Sequence, residues 1–321
     1  MLNMMQAAEL VLDLAMKSSQ KEVDVMVERN ELLEVNILNG GVEKIEESTS
    51  LGLGIRVLDN GKTGLASTER LDNDSISKAF YSACENSKLQ DRTEVEMLDP
   101  PEKIPDPLLL ELYNPELEKL TADELSEFGL SIEDSVKGPY NLLCAIPYLG
   151  VSKGYSESLL LSSKGILNSQ KSNEVSAWCG PLLQNKNSRK SGFHYLHRRE
   201  LDRQAGTRIG NESVKKALEM LNASSISGGK FPVVLDEHVA PKLMGMYFGA
   251  FSAESAQKGM SRLQGKLGER ISVPELTLLD DPHYKGASRS CFLDAEGSLT
   301  KPLSIVKNGV FSNFLYNVES A

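Results

Sequence analysis

Three short clusters in this 321-residue chain carry the side-chain types that hydrolytic chemistry uses. Asp236-Glu237-His238 follows the apolar run Phe231–Leu235 and precedes a helical stripe. "FHYLHRRELDRQ" sets His194, His197 and Glu200 three residues apart. "LLDDPHYKG" places Asp280 and Asp281 beside His283. Zinc asks for three or four N, S or O donors converging at roughly 2.0–2.3 Å, and His238 has no second imidazole four residues on. Asp236 is better explained as a helix N-cap, and Glu237 as a carboxylate favoured by the helix dipole, which leaves His238 structural.

The second cluster would offer neighbouring ligands on a helix, but its aromatic alternation indicates a strand, where i and i+3 face opposite sides. Arg198 and Arg199 would also raise the cost of holding a cation. With Lys186, Arg189 and Lys190 upstream, the stretch to Arg208 is a candidate nucleic-acid patch; a solvated basic strand is the simpler reading. Asp280, Asp281 and His283 could serve acid–base chemistry if they line a cleft. Against that, Asp-Asp-Pro after an apolar strand commonly opens a turn.

Composition narrows the classes. With 40% hydrophobic residues the chain can bury a proper core, and a net charge of -10 argues against a nucleic-acid-binding surface over the whole molecule. Cys84, Cys144, Cys179 and Cys291 form no C-x-x-C pair, so neither a disulfide framework nor a zinc ribbon is indicated and a cytoplasmic location is expected. The first residues lack a basic leader and carry Glu9 and Asp13 inside their apolar stretch, unlike a secretory signal. No run approaches the about 20 apolar residues of a membrane span. Gly52-x-Gly54 lies within a strand pattern and is no dinucleotide fingerprint; a G-x-S-x-G elbow and a phosphate-cradling loop are both missing.

The elements around these clusters point to an α+β protein. An opening helix carries Met5, Ala8, Leu12 and Ala15 on one stripe. "EVDVMVER", "LLEVNI", "VEKIEES", "LGLGIRVL" and "TGLAST" are expected strands, with hairpin turns at Asn39-Gly40-Gly41 and at Asp59-Asn60-Gly61-Lys62. A helix starts near Asp72–Asp74. "DPPEKIPDP", Asp99–Pro107, marks a boundary, because its four prolines remove backbone donors. Thr121 and Glu124 form a capping box, Lys153-Gly154 and Lys164-Gly165 divide a strand meander, and "NESVKKALEMLNAS" is a further capped helix. A Ser/Gly-rich linker, Asn222–Lys230, precedes a buried strand at Val233-Val234-Leu235 and a core-facing helix bearing Val239, Leu243, Met246, Tyr247, Ala250 and Phe251. The expected units are 1–98, antiparallel sheet with flanking helices; 99–222, a strand meander with helices; and 223–321, an incomplete β-rich unit.

Three blocks together resemble the TldD/PmbA family: "NGGVEKIEESTSLGLGIRVLDNGKTGLASTERLD", "SSKGILNSQKSNEVSAWC" and the stretch from Phe231 through Pro282. The resemblance runs from about residue 20 to the end. It implies a cytosolic protease system of two related subunits, TldD and PmbA (TldE), assembled as a heterodimer. It also implies that a TldD-type chain carries zinc on an H-E-x-x-x-H motif after the strand equivalent to Val233–Leu235, with a further Cys ligand. Those motif positions fall here on Gly245, Met246 and Ala250. None offers a zinc ligand or a general base, so the resemblance implies a PmbA-type chain without its own zinc, working on unfolded or modified peptides beside a zinc-bearing TldD-type partner. Family members continue beyond "LSIVKNGVFSNFLYNVES", so a truncated third unit is expected. The family's older label, modulator of DNA gyrase, gives the alternative of a regulatory binding protein.

Overall fold

The structure, a computed structural model, describes residues 2–18, 22–91, 95–137, 141–186, 188–221 and 223–321. Helix α1 (Met4–Lys17) is opened by reciprocal Asn3–Gln6 capping and buries Ala7, Ala8, Val11 and Ala15. Met5, placed by sequence on that stripe, is exposed. Strand β1 (Glu22–Leu38) merges two expected strands, and β2 (Gly41–Asp59) merges two more. Between them Asn39 and Gly40 adopt φ 52° and 83°; before β3 (Lys62–Thr68), Asn60 and Gly61 adopt 51° and 77°. Both are the left-handed two-residue turns that the strand twist prefers. Helix α2 (Asn73–Lys88) is capped by Asp72, which accepts the Ser75 N–H at 2.8 Å.

Residues 99–106 carry no helix or strand, and the short helix α3 (Pro115–Glu118) follows. At the start of α4 (Ala122–Lys137) Thr121 N–H donates to Glu124 Oε2 at 3.0 Å, and Glu124 N–H donates to Thr121 Oγ1 at 3.3 Å. Then come β4 (Leu143–Ser162), β5 (Leu167–Gln184), β6 (Arg189–Ser191), β7 (His194–Arg198) and α5 (Ala205–Leu221). Two local expectations fail here. Lys153-Gly154 is no turn: Gly154 lies mid-strand in β4, paired with Leu32 on one side and Glu174 on the other. Helix α5 starts six residues before Asn211, because Gly206 and Gly210 lie against α4, where a Cβ would meet Ser131 Oγ at 2.9 Å and Ser135 Oγ at 1.9 Å.

These strands form one antiparallel sheet in the order β3-β2-β1-β4-β5-β6, with β7 also on β5. The order mirrors itself about the β1/β4 pair, which runs from Asp24↔Ser162 to Asn36↔Gly150. Each side repeats the layout helix, three sheet positions, helix. Gly64 would place a Cβ 2.0 Å from Ala83 O and 2.5 Å from Ser87 N on α2; Gly192 would do the same against Ser213 O and Ala217 N on α5. One core gathers α1, α2 and Val23, Val25 and Val27 of β1. The other gathers α4, α5 and Val35 and Ile37 of the same strand.

Beyond α5 regular structure thins out. Residues 223–230 hold no element, and Asn222, the first residue of the expected linker, lies outside the described residues. Phe231–Leu235 is not the buried strand its composition suggests: it has no sheet partner, and Val234 is 98% exposed. Hydrophobic side chains gain roughly 1.5–3 kcal/mol each only when something covers them, and no described segment pairs with this run. The expected core-facing helix is likewise short, α6 (Val239–Gly245), with no buried residue. A 3-10 turn at Phe248–Phe251 and α7 (Ala253–Gln257) follow. The β-rich expectation is met only by β8 (Leu278–Asp280), β9 (Leu303–Lys307) and β10 (Val310–Phe311). Phe251, Phe311 and Phe314 pack a small core there, with ring centroids 5.9 and 4.7 Å apart along the row. No helix among the described residues is long and apolar enough to cross a membrane.

Candidate functional site

The third unit holds a cleft of about 760 Å³. Ser252 fixes one wall: its Oγ accepts the Ser255 N–H at 3.2 Å to start α7, while the Ala253 N–H donates to Leu315 O at 2.8 Å. Leu278 of β8 and Val306 of β9, partners in the antiparallel ladder, also line it. Met244, Met246, Tyr247 and Met260 stand at the lining with Ala250. Thioethers are flexible and polarisable, which suits a surface that accepts varied apolar side chains. Arg262 is the charged residue of the lining; no carboxylate, imidazole or thiol contributes to it.

Two of the three motif positions therefore lie on this cleft. Met246 is 81% exposed, and Ala250 is half-buried with its carbonyl accepting the Ser261 hydroxyl. Gly245 ends α6 at the surface, with nothing within 4 Å of where a Cβ would stand. The donor set does not fit zinc: a hydrogen and a methyl group offer no lone pair, and a single thioether is too soft a ligand for hydrolytic zinc.

Asp280, Asp281 and His283 are absent from the cleft lining. Asp280 ends β8 and is exposed. Asp281 Oδ1 accepts the His283 N–H at 3.0 Å, the local bond by which an aspartate opens a turn. The imidazole turns elsewhere, with Nε2 3.1 Å from Thr300 Oγ1 and its ring 4.9 Å from that of Phe292.

His194 and His197 lie on strand β7, as the alternation predicts, and diverge: His194 is buried, His197 half-buried. His197 Nδ1 is 3.0 Å from Ser176 Oγ, and its Nε2 is 3.0 Å from Ser288 Oγ and 2.9 Å from Glu174 Oε2. Glu174 and Ser288 carried no local signal, because β5 and the third unit bring them from far along the chain. Glu200 lies past the end of β7 and joins neither histidine. The basic stretch is largely engaged within the molecule. Arg189 donates to Gln184 Oε1, Arg199 to three carbonyls, and Arg203 to Glu124.

Asp236 accepts the N–H groups of His238 and Val239 at 2.9 Å each and so closes the turn leading into α6, whose own N-cap residue is His238, without a side-chain cap bond. Those two bonds hold its carboxyl below the usual carboxylate range. The His238 ring lies against His194 and Tyr195, at centroid distances of 5.5 and 5.2 Å.

Comparisons with known proteins agree along the chain. Domain profiles of the PmbA/TldA metallopeptidases match residues 23–87 (domain 1), 115–221 (central domain) and 228–321 (C-terminal domain). An uncharacterised protein of Methanocaldococcus jannaschii is 25% identical over 304 residues, covering 94% of this chain and 68% of its own length. The metalloprotease PmbA of Escherichia coli O157:H7 is 24% identical over 322 residues, covering 98% and 70%. Among solved structures, a Thermotoga maritima protein described as a candidate modulator of a DNA gyrase superposes with TM-score 0.88 at 23% identity, covering 98% of this chain and 71% of the other. TldE from Thermococcus kodakarensis superposes with TM-score 0.78 at 21% identity, covering 97% and 70%. The chain belongs to the PmbA/TldD metallopeptidase family.

Proposed function

We propose that this chain is a PmbA (TldE)-type subunit of a TldD/PmbA peptidase assembly in the cytoplasm, working as a heterodimer with a TldD-type partner that supplies the zinc. Its cleft takes apolar side chains of an unfolded or modified peptide and presents that peptide to the partner's catalytic centre. One observation carries the reading: Met246 and Ala250 line an apolar cleft at positions where hydrolysis would need a base and a ligand. The site can bind and orient; its lining holds no carboxylate, imidazole or thiol.

The runner-up is a regulatory DNA-gyrase modulator, suggested by the description of the Thermotoga maritima protein. The arginines that would support it, Arg189, Arg199 and Arg203, are directed to partners within the fold. That favours the peptidase-subunit reading.

The test mixes the purified chain with a TldD-type subunit from the same cell and follows cleavage of an unstructured peptide. The expected result is cleavage by the mixture and none by this chain alone. Substituting Met246→Glu should weaken peptide capture about tenfold, as expected when a charge replaces roughly 1.5 kcal/mol of apolar contact. Hydrolysis by the isolated chain that a chelator stops and zinc restores overturns the proposal.

A further inference from the structure

Phe231–Leu235 has the composition of a strand and no sheet to join. Among the described residues none of its backbone N–H or C=O groups is hydrogen-bonded. Every residue from Lys230 to Glu237 is exposed, Val233 by 72% and Val234 by 98%. Val233 and Val234 favour extended backbone, and Phe231 is pushed to the same region because it precedes a proline. An apolar segment with a free backbone is a template for another chain. We propose that it pairs with the same segment of a second copy, antiparallel about Val233, and so joins two of these chains as a symmetric dimer.

The charges at the two ends of the run select that occupant. Lys230 stands just before it and Asp236 just after. Crossing two copies about Val233 sets Lys230 opposite Asp236, Phe231 opposite Leu235, Pro232 opposite Val234, and Val233 opposite itself. Each end then meets its opposite charge, twice by symmetry, with only apolar residues and proline between. A parallel arrangement in the same register would instead stack Lys230 on Lys230 and Asp236 on Asp236. Asp236 is held ready: its Oδ1 accepts the His238 and Val239 N–H groups, which leaves Oδ2 for Lys230 of the second copy. Glu237, with its side chain 84% exposed, adds to the negative end.

Pro232 fixes the pattern of bonds. An antiparallel ladder alternates hydrogen-bonded pairs with non-bonded ones. Lacking an N–H, Pro232 belongs in a non-bonded pair, so Phe231–Leu235 and Val233–Val233 become the bonded pairs, and each of those residues has its N–H to give. Lys230 and Asp236 then fall in the non-bonded class, where Cα atoms come to about 4.5 Å and side chains lie closest. So short a ladder buries less than the roughly 1,200–2,000 Å² of a stable interface, so the dimer is weak and grows with protein concentration.

The experiment follows the full chain by sedimentation through a dilution series, beside V233P and K230E, with thermal melting as the control for folding. Wild type should pass from monomer to dimer as concentration rises. V233P, which removes the central N–H, should remain monomeric, and K230E, which sets like charges opposite each other, should dimerise about tenfold more weakly. The register is read separately from oxidative cross-linking of V233C and V234C. V233C should form a disulfide-linked dimer, because the axis brings its two copies within reach, whereas the two copies of V234C lie too far apart along the ladder. Wild type that stays monomeric throughout, dimerisation of V233P at wild-type strength, or equal cross-linking of V233C and V234C overturns the proposal. Wild type that pairs only when a TldD-type chain is added assigns the run to that partner and overturns it as well.

Discussion

The Arg199 guanidinium donates its Nε–H to the Gly286 carbonyl at 3.1 Å, joining the end of the middle sheet to a loop of the third unit. The same fork reaches Ala287 O at 3.3 Å and Asn173 O, and it stands 3.6 Å from Glu174. Hydrogen bonds from a charged donor contribute about 1.5–3 kcal/mol when they replace water, and three converge here. Arg199→Ala should therefore lower stability by about 2–4 kcal/mol in urea unfolding and speed protease cleavage within residues 223–235. Arg199→Lys keeps the charge without the planar fork and should recover less than half of the loss. Wild-type proteolysis in R199A would mean that other contacts hold the third unit.

His194 gives the molecule an acid-sensitive step. Its folded pKa lies below its ordinary value of 6.5, mainly through burial. The folded state therefore resists the proton that the unfolded chain takes up. The resulting stabilisation is present above the unfolded value and is lost as pH falls through the folded one. The melting temperature should drop as pH falls below about 6.5, more steeply for wild type than for H194N. Parallel curves for the two proteins would remove His194 as the cause.

The mirrored glycines make a steric prediction. Gly192→Ala and Gly64→Ala drive a Cβ into helix backbone at 2.0 and 2.5 Å, so a helix must move. Each should cost about 1–3 kcal/mol or more, measured by chemical denaturation. Gly245→Ala, which meets nothing within 4 Å, should change stability by less than about 0.5 kcal/mol.

The four cysteines should react in order of access. Cys144 is exposed, while Cys179 is buried with its thiol pushed up to about 11 by desolvation. Burial also raises Cys84 and Cys291. At pH near 8, a thiol reagent should label one cysteine quickly in the native chain and all four in denaturant, with mass mapping placing the fast one at Cys144. Rapid native labelling of Cys179 would contradict the packing of β5 against α5.

What the sequence made legible was local chemistry. Asn39-Gly40 and Asn60-Gly61 turn where their dihedral freedom requires it, Asp72 and Thr121 cap as short polar side chains do, and Asp236 closes a turn. What stayed hidden depends on remote partners. Lys153-Gly154 has the composition of a turn, yet strands on both sides keep it extended. Val233-Val234-Leu235 has the composition of a core strand, yet no described neighbour covers it. His194 and His238 stand forty-four residues apart in sequence, and no short-range spacing rule could have paired them.

Strand β1 enters both cores, contributing Val23, Val25 and Val27 to one and Val35 and Ile37 to the other, and β2 and β4 flank it on either side. A break in its middle would cut ladders on two fronts at once. The mirrored halves consequently share a single cooperative fate: heat or denaturant should melt them in one transition, and neither half survives as a free-standing fragment once the common beam is lost.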